Sequence, residues 1–161
     1  MQALRRRFAG RRKGQDRYLT IREADYGADE SSIRAIRFEV FVDEQSVPRE
    51  MEMDERDPHC IHLLAFDGGK AVGTARIDVE QSGKVGRLAV LSKWRRRGIG
   101  SALMERCHEI AVSHGLESAW CNAQVGAIPF YESLGYIVAG ELFQEAGIDH
   151  LRMTKSLRVL D

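Results

Sequence analysis

The chain is poor in cysteine and has no long apolar run. Its 161 residues contain three cysteines, Cys60, Cys107 and Cys121, and none of them has the Cys-x-x-Cys spacing of metal or redox sites. We therefore expect reduced thiols packed in a core, as is usual in cytosolic proteins. No segment approaches the roughly 20 apolar residues of a membrane span, and the first residues lack the apolar stretch of a secretory signal. These absences predict a cytoplasmic protein that does not contact a membrane.

The net charge of zero hides an uneven distribution along the chain. The 24 basic and 24 acidic residues balance overall, but residues 1–17 contain seven basic residues and one acidic residue. A segment of this composition is typically a solvated, disordered arm. We therefore predict a flexible basic arm over residues 1–17 and one folded domain over residues 18–161. RNA association through the arm is an alternative function, although nucleic acid is not the partner that the rest of the chain predicts.

Hydrophobic periodicity predicts alternating strands and helices in the folded domain. No internal repeat or linker divides this part of the chain, which favours one α/β domain. Residues 49–58 are predicted to form a charged loop, and Asp29 or a following serine is predicted to cap the first helix. The predicted strands cover residues 18–23, 61–66, 71–79, 84–91 and 116–122, with two more after residue 136, and the predicted helices cover residues 29–45, 98–114 and 126–134.

An arginine-rich turn with two glycines, residues 92–101, lies between a predicted strand and a predicted helix. The unpaired N–H groups and the dipole of a helix N-terminus favour an anion such as a pyrophosphate, and glycine lets the backbone approach it. The dinucleotide fingerprint does not fit, because Leu103 stands where its third glycine belongs. The Walker loop does not fit either, because Gly100 is followed by Ser101 and not by lysine. The turn therefore predicts another phosphate-bearing ligand.

Two motifs resemble those of the GNAT acyltransferases. Residues 95–100 read Arg-Arg-Arg-Gly-Ile-Gly, which is similar to the Arg/Gln-x-x-Gly-x-Gly/Ala loop that holds the CoA pyrophosphate in that family. Residues 122–136 resemble a later family segment, in which an asparagine ends a strand and a short helix carries Phe-Tyr before Leu-Gly-Tyr. The resemblance covers residues 18–156. Further matching segments, which narrow it to the ElaA/YjcF-like branch, are residues 40–48, 72–77 and 145–150.

The resemblance implies the GNAT fold, in which helices flank a central, mostly antiparallel mixed sheet that splays in the middle. It also implies acetyl-CoA as acyl donor and cosubstrate, with the pantetheine arm between two parted strands and with no metal ion. Arg96 stands where the family often has glycine, which leaves its role open. The residues that the resemblance places around acetyl-CoA are Leu88, Ala89, Val90, Arg95, Arg96, Arg97, Gly98, Ile99, Gly100, Ser101, Asn122 and Tyr131.

Tyr131 is the residue that the resemblance implies as proton donor to the departing CoA thiolate, with packing beside Phe130 as the alternative. An acceptor amine with a pKa near 10.4 is less than about 0.1% neutral at pH 7, so its attack needs a base or a desolvating pocket. Glu44, His62 and His150 are the candidate bases. Each has an alternative as an ordinary surface or strand residue, and an ordered water chain would need none of them directly.

Seven carboxylates lie between residues 43 and 57. As an acidic rim they would attract a cationic acceptor, and a solvated charged loop is the alternative. The predicted function is transfer of acetyl from acetyl-CoA to a primary amine, on a small molecule, a lysine or an N-terminus, by direct attack in a ternary complex. A non-catalytic acyl-CoA-binding module is the alternative. The oligomeric state is open, with a homodimer as one alternative.

Overall fold

A computed structural model describes residues 4–7 and 18–159 of the chain. Strands and helices alternate along it, as the periodicity predicts. The described strands are β1 (Leu4–Arg7), β2 (Tyr18–Glu23), β3 (Ile61–Asp67), β4 (Lys70–Asp78), β5 (Lys84–Val90), β6 (Ser118–Gln124), β7 (Ile137–Val138), β8 (Phe143–Glu145) and β9 (Ile148–Ser156). The described α-helices are α1 (Tyr26–Arg37), α2 (Arg49–Glu52), α3 (Ile99–Ser113) and α4 (Ile128–Ser133).

The described strands form one sheet in the order β1-β2-β3-β4-β5-β6-β9-β7. β8 pairs with the beginning of β9, and β7 pairs further along the same strand. Each neighbouring pair of described strands is antiparallel except β5 and β6, which are parallel. The mixed, mostly antiparallel sheet of the predicted fold is therefore confirmed.

The parallel strands β5 and β6 part over most of their length. In the described part of the chain, Lys84 and Trp120 form the one register pair between them. β5 also carries a bulge, where its residues 86–89 face residues 74–76 of β4. Arg87 lies in this bulge with a φ of 50°. A bulge bends its strand and increases the local twist, so β5 leaves the plane that it would otherwise share with β6.

The two longer α-helices cover opposite faces of the sheet. Leu63 and Leu64 are neighbours on β3, yet Leu63 packs in the cluster of α3 and Leu64 in the cluster of α1. This division follows from the two-residue period of a strand, which sends successive side chains to opposite faces. On β6 the same alternation buries Cys121 in the cluster of α3 and turns Asn122 to the other face. The open side of β6 is therefore the face opposite α3.

The first helix differs from the sequence prediction at both ends. Asp25, and not Asp29 or a serine, is its N-cap, and its side chain accepts a backbone hydrogen bond of 3.2 Å. Asp29 instead forms an ion pair with Arg22 at 2.7 Å. After α1, residues Phe38–Glu44 continue the helix in π-helical geometry. The apolar spacing of so short a segment does not distinguish a π-helix from an α-helix. Short π-helical segments often lie at functional sites.

Two further segments were not predicted in their observed form. The charged loop predicted at residues 49–58 contains α2 and a short 3₁₀ turn, and it buries Glu52 and Asp57. Within the predicted basic arm, β1 pairs with β2, and Leu4 lies opposite Ile21. Residues 8–17 of the arm lie outside the described residues, so the prediction of flexibility stays a prediction. No helix in residues 4–7 and 18–159 is long and apolar enough to cross a membrane.

Candidate active site

The start of α3 presents free backbone donors to solvent. Gly98 is its N-cap residue, with a φ of 77°, and no side chain of the described residues caps the helix there. The first N–H groups of a helix have no intrahelical acceptor, and the helix dipole places partial positive charge at the same point. Arg95, Arg96 and Arg97 are exposed beside this turn. The structure thus brings the predicted residues 95–101 together around one helix terminus whose donors and positive charge suit an anion.

α4 packs directly on the start of α3. A Cβ at Gly100 would lie 3.5 Å from the ring of Phe130. This distance is that of an ordinary van der Waals contact, so α4 packs against the first turn of α3 at this point. Phe130 and Tyr131 are consecutive residues of α4, and their rings meet edge to face at 5.1 Å. Tyr131, the predicted proton donor, is therefore part of the helix that packs against the predicted pyrophosphate loop.

Arg96 adopts the backbone conformation that its family position predicts. Its φ is 60°, in the left-handed region that favours glycine. A turn of this shape is needed to bring the chain from the end of β5 to the start of α3. The loop therefore keeps the geometry of a glycine-containing loop with an arginine in place of the glycine, and its side chain is exposed to solvent.

Arg95 connects the loop to two other elements. Its Nε donates to the backbone oxygen of Val90 at 2.8 Å, at the end of β5. Its Nη2 contacts both carboxylate oxygens of Glu44, at 3.0 and 2.8 Å, at the end of the π-helical segment. Glu44, a candidate base, therefore lies beside the candidate pyrophosphate loop. Its carboxylate is engaged by Arg95, so base catalysis by Glu44 requires this ion pair to open.

The predicted pantetheine residues line the open edge of β5. Ala89 and Val90 pair with Thr74 and Gly73 of β4 on one side. On the other side, the end of β5 has no partner strand among the described residues, because β6 has already diverged. Unpaired backbone N–H and C=O groups at such an edge are available to hydrogen-bond an extended polar chain. Leu88 and Val90 are half-buried, and so is Asn122, which lies on the face of β6 opposite α3.

Tyr131 is held in the protonated form by its surroundings. Its ring also meets the ring of Tyr136 edge to face, at 5.6 Å. Burial, with a smaller contribution from Cys121 and Cys107, raises the pKa of Tyr131 above its usual value of 10.0. A buried phenol loses the hydration that its anion needs, so it keeps its proton. Tyr131 can therefore donate a proton at neutral pH, which is the state that a general acid requires.

The two candidate histidines lie in different environments. His150, on β9, is 8% exposed and stacks on Phe143, and its Nδ1 lies 2.7 Å from the backbone oxygen of Ile148. A carbonyl oxygen accepts, so Nδ1 carries the proton and Nε2 of the neutral ring is left as an acceptor. His62 is buried under Tyr26, and burial lowers the pKa of His62. His150 keeps a usable acceptor nitrogen, whereas the contacts of His62 are those of a hydrogen-bonded strand histidine.

Three of the seven carboxylates of the expected acidic rim form a network of ion pairs with arginines. Three arginines neutralise three carboxylates beneath α1 and beside the bulge of β5, and two of these carboxylates, Glu52 and Asp57, are buried. We call this network the ion cluster; it consists of Arg37, Arg76, Arg87, Glu52, Asp54 and Asp57. The remaining four acidic residues of the segment, Asp43, Glu44, Glu50 and Glu55, are exposed.

Arg37 is the centre of the ion cluster and is fully buried. Its Nε lies 2.9 Å from Oε1 of Glu52, and its Nη1 lies 2.7 Å from Oδ1 of Asp57. Arg76 binds Asp57 at 2.6 Å and Asp54 at 2.7 and 2.8 Å. Burial opposes ionisation of Asp54, but the hydrogen bonds and charge of Arg76 outweigh it and lower the pKa of Asp54 to about 2. Asp54 is therefore ionised at neutral pH and is neutralised by Arg76.

Arg87 joins the ion cluster to the splayed strands. Its Nε donates to the backbone oxygen of Glu52 at 3.1 Å, and its Nη2 contacts Asp54 at 3.2 Å. Arg87 is also the bulge residue of β5 with positive φ. The cluster therefore anchors the bulge that opens the sheet. The sequence analysis missed this role, because the three arginines lie 11 to 50 residues from one another and only the fold brings them together.

The cysteines and the metal-binding residue types offer no alternative chemistry at this site. The thiols of Cys60, Cys107 and Cys121 are free, and burial raises the pKa of Cys107 and Cys121 to about 12. A thiol that stays protonated is a poor nucleophile. In the part of the chain that the structure describes, no group of three or more His, Cys, Asp and Glu side chains could hold a metal ion.

Known proteins share this sequence pattern and fold. A family model for the acetyltransferase (GNAT) domain matches residues 23–157. An uncharacterized N-acetyltransferase of Bacillus subtilis, YjcF, is 41% identical over 122 residues, which are 74% of this chain and 87% of that protein. ElaA of Escherichia coli is 29% identical over 128 residues, which are 76% of this chain and 84% of that protein.

Solved structures agree with the family match. The crystal structure of Escherichia coli ElaA matches with a TM-score of 0.76 and 24% identity, over 86% of this chain and 99% of that chain. An aminoglycoside 6′-N-acetyltransferase complexed with coenzyme A has a TM-score of 0.71 at 17% identity, over 88% of this chain and 98% of that chain. The family model and the identity to YjcF cover most of the residues that form the sheet and the site. The chain therefore belongs to the GNAT acetyltransferase family, in its ElaA/YjcF-like branch.

Proposed function

We propose that this protein transfers the acetyl group of acetyl-CoA to a primary amine by direct attack in a ternary complex. The observation that carries the proposal is the position of an uncapped helix terminus beside an open strand edge. The terminus of α3 suits a pyrophosphate, and the edge of β5 suits the amide-containing pantetheine arm. Membership of an acetyltransferase family and a fold neighbour that holds coenzyme A support the same donor.

The residues of the loop fit the donor by charge and by shape. The N–H groups of residues 98–101 supply directed donors, and Arg95, Arg96 and Arg97 supply positive charge within the same turn. Arg95 at present binds Glu44 and Val90. A pyrophosphate would compete for its guanidinium, and an Arg95 drawn to the donor would release the Glu44 carboxylate towards the acceptor side.

In the proposed transfer, the amine nitrogen attacks the thioester carbon and forms the amide bond, while the carbon–sulfur bond breaks. Tyr131 donates its proton to the departing sulfur, and its raised pKa keeps that proton available. The proton of the amine passes to a base, for which Nε2 of His150 and a released Glu44 are the candidates. General acid catalysis of this kind contributes about 10²–10⁴-fold, and a thiolate with a pKa near 8.5 already leaves readily, so Tyr131 assists departure without being essential.

The donor site is tested by calorimetric titration of the full chain with acetyl-CoA. The test variant is Gly98→Glu, which places a carboxylate at the N-terminus of α3. The matched control is Gly115→Glu, because Gly115 follows the C-terminal end of the same helix, has a φ of 76° and has open space around its Cβ position. Both variants carry the same backbone strain and the same added charge. They differ only in the end of α3 that they alter.

We expect micromolar binding in the wild type and in Gly115→Glu, and loss of binding in Gly98→Glu. Release of CoA in the presence of a panel of amines then tests transfer. Binding without turnover of any amine would favour a non-catalytic acyl-CoA-binding module. A folded wild type that does not bind acetyl-CoA would contradict the proposed donor.

A further inference from the structure

Trp120 carries two cations on the face of the sheet opposite α3. Nζ of Lys84 lies 5.1 Å from the centre of the indole ring, and Cζ of Arg152 lies 3.8 Å from it. The ring is held in place, because its Nε1 donates to the backbone oxygen of Gln81 at 2.9 Å. We call Trp120, Lys84 and Arg152 the Trp120 platform. A guanidinium that lies over a ring keeps its N–H edge available for the bidentate hydrogen bonds that a carboxylate accepts.

Two carboxylates close to Lys84 in the β4–β5 hairpin are bound to another arginine. Asp78 is the register partner of Lys84, but its carboxylate accepts hydrogen bonds of 2.8 and 3.0 Å from Arg56. Glu80 is bound to Arg56 as well, at 2.8 Å, and the carboxylates of the ion cluster are bound within it. Within residues 4–7 and 18–159, neither Lys84 nor Arg152 has a carboxylate at ion-pair distance. The two cations therefore share the ring without an anionic partner in the described part of the chain.

The Trp120 platform lies at the closed end of the split between β5 and β6. Lys84 and Trp120 are the residues through which the two strands still pair, and beyond them the strands diverge. Arg152 is the register partner of Asn122, which lies two residues after Trp120 on the same face of β6. At the other end of the opening, Nε2 of Gln124 donates to Oε1 of Gln45 at 2.7 Å. Gln124 lies four positions after Trp120 on β6, which is a length of about 13 Å and suits a small molecule.

We infer that the acceptor is a small amine that also carries a carboxylate, of which free amino acids are the simplest class. Its carboxylate binds the guanidinium of Arg152 and the ammonium of Lys84, while its amine points into the split. This inference rests on the proposed function, since it names the substrate of the same site. It differs from the acidic rim expected from the sequence, because Glu52, Asp54 and Asp57 are already neutralised. A polyamine, which has no anion, would be repelled by the Trp120 platform.

The test compares each standard amino acid with its carboxamide as acceptor, using the full chain and saturating acetyl-CoA. The carboxamide keeps the shape and the amine but removes the negative charge. Loss of a charge-assisted hydrogen bond typically costs a factor of about ten or more, so we expect kcat/KM for at least one acid to exceed that of its amide by about that factor. We expect Arg152→Gln and Lys84→Gln to remove this preference while leaving the KM for acetyl-CoA unchanged.

Arg158→Gln is the matched control, because Arg158 is an exposed arginine beyond the end of β9 that pairs with Glu117. It should keep the wild-type preference, and thermal melting shows that all three variants are folded. The inference is overturned by amides that react as well as the acids, by a preference for polyamines, or by an Arg152→Gln variant with an unchanged acid-to-amide ratio.

Calorimetric titration with the same acids in the presence of CoA separates this inference from the proposed function. Binding of an acid that Arg152→Gln abolishes supports the anion site even if no acetyl group is transferred. Absence of binding and of turnover for every acid overturns the inference, whatever the titration with acetyl-CoA shows.

Discussion

Arg96 lies in a conformation that costs a non-glycine residue about 1–2 kcal/mol, because its φ of 60° brings its Cβ close to the backbone. The exposed side chain forms no ion pair with the residues that the structure describes. The strain is therefore not offset by an ion pair with any of the described residues. The arginine at position 96 is therefore explained either by the loop geometry alone or by a bound anion.

Arg96→Gly should raise the free energy of unfolding by up to about 1 kcal/mol, since the relieved strain exceeds the entropy that glycine adds to the unfolded chain. Urea denaturation measures it, with Arg97→Gly as control. Arg97 does not have positive φ, so its variant should lose about 0.5–1 kcal/mol. Equal losses in both variants would contradict the argument. Unchanged affinity of Arg96→Gly for acetyl-CoA would show that the loop needs the backbone shape and not the side chain.

Tyr131→Phe should lower kcat by about 10²-fold, within the range of general acid catalysis, and leave the KM for acetyl-CoA nearly unchanged. The substitution keeps the ring contacts with Phe130 and Tyr136 and removes only the hydroxyl. Because burial raises the pKa of Tyr131 above its usual value of 10.0, the wild-type acid stays protonated and causes no fall of kcat through neutral and mildly alkaline pH. The measurement is kcat against pH for both proteins. An unchanged kcat in Tyr131→Phe would leave Tyr131 with a packing role.

At the scale of elements, α3 depends on a close approach to β4. A Cβ at Gly73 would lie 3.2 Å from side-chain carbons of both Ile99 and Leu103 and 3.4 Å from the backbone oxygen of Ala89. These contacts are tighter than ordinary van der Waals contacts. The first turn of α3, which carries the candidate pyrophosphate loop, therefore has its distance from the sheet set by a residue without a side chain.

Gly73→Ala should destabilise the protein by about 1–3 kcal/mol, the usual cost of overpacking, and should weaken acetyl-CoA binding by displacing the start of α3. Gly86→Ala is the matched control, since Gly86 also lies in a central strand but has nothing within 4 Å of its Cβ position. Urea denaturation and calorimetric titration report the two effects. Similar losses in both variants would show that strand glycines matter for some reason other than the approach of α3.

At the scale of the whole molecule, the ion cluster ties α1, the segment after the π-helix, and strands β4 and β5 into one unit. Breaking a buried ion pair by removing one partner leaves an uncompensated charge and is strongly destabilising. The cluster also makes the stability of the fold depend on pH. A carboxyl with a lower pKa in the folded chain than in the unfolded chain stabilises the fold above the unfolded value, and this contribution is lost as pH falls through the folded value.

Stability should therefore fall as the pH is lowered from about 4 to about 2. The pKa of Asp54 is about 2 in the folded chain, against an ordinary value of 3.8, and the pKa of Asp57 is lowered too. Burial raises the pKa of Glu52, so its protonation opposes the loss. Asp54→Asn should be less stable at pH 7 and lose less between pH 4 and 2. Urea midpoints across this range give the test, with exposed Glu55→Gln as control. A slope that Asp54→Asn leaves unchanged would contradict it.

The periodicity and the two motifs determined much of this protein. Alternating apolar residues in β3 to β6 and the helical stripe of α3 predicted the layers, because burial on a strand or helix depends on spacing that the sequence displays directly. The loop at residues 95–100 predicted the helix terminus, because the glycines and arginines that it requires are contiguous. The roles of individual site residues in binding and catalysis stay predictions.

Only the tertiary structure decided what the charges do. Arg37, Arg76 and Arg87 come from three separate elements, and the fold brings them onto carboxylates that the sequence presents as an acidic run. Trp120 gathers Lys84 and Arg152 in the same way, across three strands. Spacing along the chain predicts which face a residue takes, but a Coulomb interaction depends on distance in space and on burial, which exist only once the sheet is closed on its helices. The sequence therefore determined the architecture and the donor loop, and the fold decided which charges are left to meet a substrate.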